Sequence, residues 1–487
     1  MCSLYKAHFI EINIALIVES GRIRNMKLTQ LPIQYDALII GGGPSGSTVG
    51  ILLAKAGLKV LIFEESKFPR FHVGESLLPA TNHLFKRLGI FDKIKKDFPI
   101  KPGGKWNFGD KTILGNFAWA DQDNPFQDHA YGFLVERSKF DKILLDDARK
   151  HGADVWEETK VIEVLRDKFD VEGLVVQRKG EEPVTIASRM VFDCSGQNCV
   201  IPRALKLRRP TDIRRMSVYA HFKCKAVELR AKENWFVGSM IENGWFWIIP
   251  IDDEKISIGM VLPVEEFQKV KSSPEQFLKE CIDQNDFIQR SLNHKPILLG
   301  KVHVNGSMGH TSEQLVGPGW ALVGDSAYFI DPCYSSGVHL AMISGEKAAD
   351  AFIEARKKNH VDLFSKLGRK YEQEMRTHER VVTKFVKMFY MATKNPLIRW
   401  LVPRANNSYL TRKFTNFTGG DFTRVRWLVN MIYVVHQILN ILPIKNKVNS
   451  LRGADLNGIA TGKWVESNTE IAMKEEMVKI IENDITQ

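Results

Sequence analysis

The sequence predicts an α/β protein: a Rossmann-like domain assembled from separated pieces of the chain, with a β-sheet domain inserted into it and a helical region at the C-terminus. Three features predict this. The first folded segment reads strand, glycine-rich turn, helix, strand. An apolar strand and a long helix after residue 320 would complete that unit, with strand-like runs in between. From about residue 370 the pattern turns helical and basic. Strands alternating with helices build a parallel sheet, and a break filled with strands marks a second domain.

Taken in order, Tyr35–Gly41 (YDALIIG) is an apolar run of the length of a buried strand. The turn Gly41-Gly42-Gly43-Pro44-Ser45-Gly46 and a helical stretch to Ala56 follow, then a strand over Leu58–Phe63 that stops at Glu64. Helical patterns recur at Pro79–Leu88 and Lys139–Arg149. Strand-like runs lie between them and again from Met216 to Leu262. Val191–Asp193 and Ala321–Val323 are further buried strands, and Gly337–Ala355 is a long helix. Trp427–Leu442 is almost wholly apolar but is broken by Asn430, His436, Gln437 and Asn440, too short and polar for a membrane span. It is expected to cover a substrate pocket. The alternative is a helix on a membrane surface, with Arg424, Arg426 and Lys445 at its ends.

The 487 residues suffice for two or three lobes around a sizeable core. A hydrophobic share of 44% and a charged share of 26% are those of a globular protein. The net charge of +11 suits an acidic partner, a membrane surface or an anionic ligand. No nucleic-acid module is present in the pattern, so no nucleic-acid partner is expected. Cys2, Cys194, Cys199, Cys224, Cys281 and Cys333 are scattered, with no C-x-x-C pair and no Cys/His cluster of metal-site spacing. That predicts no metal and a reducing, cytoplasmic setting. Near the N-terminus, Phe9–Val18 is apolar but interrupted by Glu11 and Asn13, with no cleavage site after it. It is not read as a signal peptide: translation is expected to start at Met26, and the alternative is a poorly ordered N-terminal extension.

The glycine turn carries chemistry. It is G-x-G-x-x-G between a strand and a helix, with an acid, Glu64, ending the next strand. Gly41 permits the tight turn, Gly43 lets backbone approach a pyrophosphate, and Gly46 lets helix and strand pack. With Pro44 and Ser45, the helix N-terminus presents N–H groups and partial positive charge to phosphates. Glu64 would bond ribose hydroxyls.

Three further segments resemble the flavin monooxygenases and related FAD enzymes. Arg137 opens a helix in Val135-Glu136-Arg137-Ser138-Lys139-Phe140-Asp141. Asp193 ends a strand before a glycine turn, and Gly324-Asp325 follows another. The resemblance implies an FAD-binding domain of the glutathione-reductase and p-hydroxybenzoate-hydroxylase kind, with Arg137, Asp193, Gly324 and Asp325 at the cofactor. On this reading residues 34–104, 130–200 and 300–370 form the FAD-binding domain. Residues 105–129 and 201–299 form the β-sheet substrate domain, 371–487 the helical region and 1–33 the extension.

Three motifs resemble the flavin-dependent halogenases. The segment Phe68-Pro69-Arg70-Phe71-His72-Val73-Gly74-Glu75-Ser76 is similar to one that passes beside the flavin in that family, implying cofactor contacts for Arg70, Glu75 and Ser76. Trp245-Phe246-Trp247-Ile248-Ile249-Pro250 matches W-x-W-x-I-P. Trp245, Trp247 and Pro250 would keep organic substrate from the flavin, so that activated oxygen meets a halide instead. Phe329 to Gly337 matches F-x-x-P-x-x-S-x-G at a helix N-terminus. Pro332 and Gly337 would touch the flavin, and Ser336 and Gly337 would hold chloride or bromide.

The family also delivers the halogen through a lysine in a segment resembling F-x-x-K-x-G. Here that is Phe98-Pro99-Ile100-Lys101-Pro102-Gly103, so Lys101 is the expected catalytic residue. It would have to be shielded enough to be partly neutral or to hold a dry hydrogen bond. Tryptophan halogenases carry an acid where this chain has Tyr334, so the likeness is to the phenol and pyrrole type. The resemblance implies FAD used as FADH2, a halide ion, a separate flavin reductase (no second nucleotide fingerprint is found) and an aromatic substrate, free or carrier-tethered. A flavin hydroxylase or a geranylgeranyl-type prenyl-chain reductase on the same scaffold is the alternative.

Overall fold

The computed structural model describes residues 34–108, 112–121, 123–224, 234–241, 243–292, 294–358, 366–394 and 408–441. The expected extension at 1–33, with Met26, lies outside the described residues, as do Cys2, Leu442 and Lys445.

The opening unit forms as the pattern requires. The strand Ala37–Ile40 is buried throughout and pairs in parallel with Val60–Phe63 on one side and Val191–Asp193 on the other. Helix α1 (Pro44–Lys55) crosses between the first two strands, with proline in its first turn where no N–H is needed. Asp154–Trp156 and Trp320–Leu322 extend the sheet in parallel, and Val316–Gly317 caps one edge antiparallel, giving six strands. The strand Ala37–Ile40 thus lies in mid-sheet. Parallel strands buried on both faces read as the continuous apolar runs seen here. Helix α2 (Arg137–Lys150) packs on α1, as does the long helix α3 (Gly337–Lys357). Gly50 lets α1 lie close on the sheet: a Cβ there would come 2.7 Å from Cδ1 of Ile62 in the strand Val60–Phe63.

The second domain is an eight-stranded sheet. Its middle is an antiparallel run of Ile297–Ser312, Arg208–Lys223, Lys255–Pro263, Gly244–Pro250 and Phe236–Ile241. Gly103–Asn107 and Thr112–Asn116 add two strands at one end, and Tyr328–Phe329 adds one at the other. The domain boundary expected at residue 300 falls inside the strand Ile297–Ser312, whose ladder joins the larger sheet. One face of Gly244–Pro250 joins the main core through Trp245, Trp247 and Ile249; the other joins a smaller core through Phe246 and Ile248. That alternation of sides is the period of two of a strand between two packed layers.

Three helices close the described part: α4 (Lys366–Lys394), α5 (Ser408–Thr418) and α6 (Arg426–Ile441). Helix α6 packs on α4 and buries Leu428 and Val429, while Trp427, Met431 and Val434 are exposed. Among the described residues no helix is long and apolar enough to cross a membrane.

Candidate active site

A cleft of about 1010 Å³ opens where the six-stranded sheet meets the second domain. It begins at the carboxyl ends of the first strands, where Ile40, Gly41, Phe63, Glu64 and Ser195 line it. This is the switch point at which open parallel sheets hold ligands. The glycines divide by cause. Gly41 has φ +97°, and a Cβ there would lie 2.5 Å from the Cys194 carbonyl oxygen. A Cβ at Gly46 would lie 1.9 Å from the Gly41 carbonyl oxygen. Packing alone demands both. At Gly43 the nearest atom to a Cβ is the Arg70 Nη2 at 3.6 Å, an ordinary contact. The protein's own packing leaves Gly43 free to be larger, and Gly43 lines the cleft with Pro44 and Ser45. No side chain caps α1 at this end. A phosphate-bearing ligand against the backbone accounts for both facts.

Glu64 turns its carboxylate to this turn: Oε2 accepts from the Gly42 N–H at 2.8 Å and Oε1 from the Ser66 N–H at 2.9 Å. Arg70 stands 3.9 Å away and also pairs with Asp141 at 3.1 Å. Arg137 is buried and held by Asp141 through Nε at 2.7 Å and Nη2 at 2.9 Å, while Nη1 donates to the Val73 carbonyl at 2.5 Å. It therefore faces the cleft in a set orientation. Burial pushes the Asp325 carboxyl up to about 7, against the pull of Arg137.

Gly41, Gly43, Pro44, Ser45, Glu64, Arg70, Glu75, Ser76, Arg137, Trp245, Trp247, Asp325, Pro332 and Gly337 all line this one cleft. Six expected residues are not among its lining, Lys101 (described below) and five others. Asp193 is buried and accepts from the Ser195 and Ile201 N–H groups at 2.9 and 2.7 Å, so it shapes the turn whose Ser195 to Asn198 line the cleft. Gly46 packs inward, as above. Gly324 (φ +67°) lies against α1, where a Cβ would meet Ser45 Oγ at 3.1 Å. Pro250 ends its strand away from the cleft, and Ser336 is buried at the start of α3.

Trp245 and Trp247 form a wall, with ring centroids 5.8 Å apart. Trp247 is fixed by its N–H to Ser257 Oγ at 3.1 Å and Trp245 by its N–H to the Tyr390 hydroxyl at 3.0 Å. Tyr390 comes from α4 and was not singled out in the sequence. Glu75, also on the cleft, is buried and hydrogen-bonded through Oε1 to His221 Nε2; its Oε2 has no protein partner. A buried, unpartnered carboxylate oxygen on the cleft wall is another place for a ligand donor.

Lys101 is 2% exposed, in the short strand Ile100–Lys101 paired with Gly132–Phe133. Its Nζ donates to Ser76 Oγ at 2.9 Å and sits 5.0 Å from the Phe117 ring centre. Burial alone lowers its pKa to about 7. Ser76 Oγ is also 3.1 Å from Ser335 Oγ, next to Ser336 and Gly337 where α3 begins. Three motifs distant in the chain thus meet through two hydroxyls. Tyr334 is buried against Phe385 and Phe389, with ring centroids 4.7 and 5.5 Å away. Helix α4 therefore closes the site on that side.

The two-domain fold and the phosphate-ready cleft define an FAD-dependent oxidoreductase, and a family model for the FAD binding domain matches residues 34–384. Bound FAD supplies the redox chemistry, and the cleft residues above are those that would hold it. The comparisons narrow this further. The chain is 32% identical over 384 residues to a 1H-pyrrole-2-carbonyl-[peptidyl-carrier protein] chlorinase of Pseudomonas fluorescens, covering 73% of this chain and 83% of that one. It is 34% identical over 330 residues to a tryptophan 2-halogenase of Chondromyces crocatus, covering 66% of this chain and 61% of that one. A solved myxobacterial chondrochloren halogenase, 27% identical, superposes with a TM-score of 0.67 over 80% of this chain and 98% of its own. The chain belongs to the flavin-dependent halogenases.

Proposed function

We propose that this enzyme halogenates an electron-rich pyrrole or phenol ring, with chloride or bromide as the halogen source and Lys101 as the group that delivers it. The observation that carries the reading is the buried lysine joined through Ser76 to the turn at the start of α3. A hydroxylase or prenyl-chain reductase on this scaffold has no use for a desolvated amine there. FAD, reduced by a separate flavin reductase, supplies the activated oxygen when bound.

The chain's residues do the rest. The N-terminus of α3, with the Ser336 and Gly337 N–H groups, attracts the halide. Trp245 and Trp247 keep the organic ring from the flavin and exclude water. Lys101 receives hypohalous acid, either donating a hydrogen bond to its oxygen or forming a haloamine, and holds the halogen toward the ring carbon. An amine with a pKa of about 7 is present in both protonation states near neutrality, and either route can use it. Tyr334, in place of an acid, supports a pyrrole or phenol over free tryptophan. Carrier-tethering is supported by the name of the Pseudomonas relative. The exposed Trp427, Met431 and Val434 of α6, with Arg424 and Arg426 before them, support a weak, peripheral contact with a membrane surface, and the free cysteines Cys194, Cys199, Cys224, Cys281 and Cys333 support a reducing, cytoplasmic setting.

The test is aerobic turnover with FAD, a flavin reductase and NADH on a panel of pyrroles, phenols and indoles, free and carrier-bound, with chloride, bromide or no halide. Halide-dependent products bearing the halogen isotope pattern support the reading. Hydroxylated or reduced products formed without halide would move the enzyme to the alternative.

A further inference from the structure

Ser76 belongs to the segment beside the cofactor, yet its hydroxyl is engaged by the protein on two sides. A serine hydroxyl has one proton and two lone pairs. Lys101 Nζ donates into one lone pair at 2.9 Å, and the Ser335 hydroxyl donates into the other at 3.1 Å. The remaining proton of Ser76 is then directed elsewhere, and the residue lines the cleft.

The backbone fixes this arrangement. Residues 132–135 run as a strip between the Ser76 segment and the Lys101 segment. On one side Ser76 bridges Leu134, Leu77 N–H donates to the Phe133 carbonyl at 2.8 Å, and Val135 N–H donates to the Glu75 carbonyl at 2.8 Å. On the other side Ile100 and Lys101 pair with Phe133 and Gly132, and Leu134 N–H donates to the Pro99 carbonyl at 3.0 Å. Ser335 meets them from a left-handed backbone, φ +56°, which non-glycine residues adopt only where the surroundings impose it. The charged neighbours do not compete. Glu75 turns to His221, and no charged side chain contributes to the shift at Lys101.

We propose that Ser76 is a positioning residue for Lys101: its hydroxyl aims Nζ, favours the ammonium form and links it to Ser335 at the start of α3. This rests on the reading of Lys101 as the halogen-delivering residue, but its first test does not.

Reductive methylation of Lys101 in cofactor-free protein, followed by peptide mass spectrometry across pH, reads the ammonium directly. Removing an acceptor from a charged donor disfavours the charged form. Ser76→Ala is therefore expected to move the labelling midpoint down by about one pH unit, the size of a lost hydrogen bond to a charged group. Ser76→Thr, which keeps the hydroxyl, should restore it. Ser76→Cys, close in size and a weak acceptor, carries the same expectation as alanine if the alanine variant folds poorly. In turnover with FAD and chloride, Ser76→Ala should also raise by about tenfold the oxidised halide caught by an external scavenger. An unchanged midpoint in both Ser76→Ala and Ser76→Cys would overturn the inference. A shifted midpoint together with a fully active Lys101→Ala would instead leave the coupling standing and remove the halogen-delivery reading.

Discussion

Trp245 donates its indole N–H to the Tyr390 hydroxyl at 3.0 Å, and Tyr390 donates in turn to Asp331 Oδ2 at 2.8 Å. This chain of bonds ties the tryptophan wall, helix α4 and the turn ahead of α3 into one unit. The Arg215 guanidinium lies 3.8 Å from the Tyr390 ring centre and completes it. Tyr390→Phe removes the acceptor of a buried indole and a donor to a buried carboxylate. The expected loss is about 1–3 kcal/mol of folding free energy in urea titration. The Asp331 carboxyl, already pushed up to about 6 by burial and held down by Tyr390, should rise further.

The glycines of the turn are expected to fail differently. Gly46→Ala places a methyl 1.9 Å from a carbonyl oxygen and should lose the folded state or several kcal/mol of it. Gly43→Ala has room in the protein and should melt within a few degrees of the parent. Its methyl points to where FAD phosphates approach, so FAD affinity should fall by about tenfold or more. Flavin fluorescence titration alongside thermal melts separates the two.

Stability should depend on pH through Lys101. Its pKa is about 7 in the folded protein against an ordinary value of 10.5. Between those values the unfolded chain binds the extra proton, so this residue makes stability rise as pH rises from about 7 toward 10. Below pH 7 its burial cost is fully present. Lys101→Met should therefore stabilise the protein at pH 6, on the order of a few kcal/mol, and flatten the rise on the alkaline side. Urea midpoints of both proteins across pH check the sign.

The exposed face of α6 gives a fourth expectation. Co-sedimentation with vesicles of anionic and of zwitterionic lipid should show weak binding to the anionic ones. Trp427→Glu with Met431→Glu should abolish it while leaving the melting temperature within a few degrees, since both side chains are about half exposed. Equal recovery of parent and double variant in the supernatant would remove the membrane contact.

Much of the site was legible because it is local. The glycine turn sits between a strand and a helix, Glu64 just after a strand and Arg137 at the start of a helix, and a short window contains both the residue and the geometry that aims it. Where direction decides, the same window is silent. Asp193 ends a strand as a cofactor acid would, but its carboxylate turns inward to Ser195 and Ile201. Pro250 ends the motif strand and falls away from the cleft that Trp245 and Trp247 line. Lys101 stands in a lysine-rich stretch with Lys93, Lys95, Lys96 and Lys105, and its burial arises from Phe117 and from backbone pairing with Gly132, which no spacing reports. Tyr390, Phe385 and Phe389 lie on α4, beyond the last readable motif, and reach the site only through helix packing.

The central claim is that Lys101 delivers the halogen. The direct measurement is product formation per FADH2 consumed by Lys101→Ala, with FAD, a flavin reductase, chloride or bromide and the substrate found in the panel. FAD binding and oxygen consumption should persist while halogenated product falls by about a hundredfold or more, the size of loss on removing a catalytic group. Undiminished halogenation by Lys101→Ala, with FAD binding intact, would contradict it.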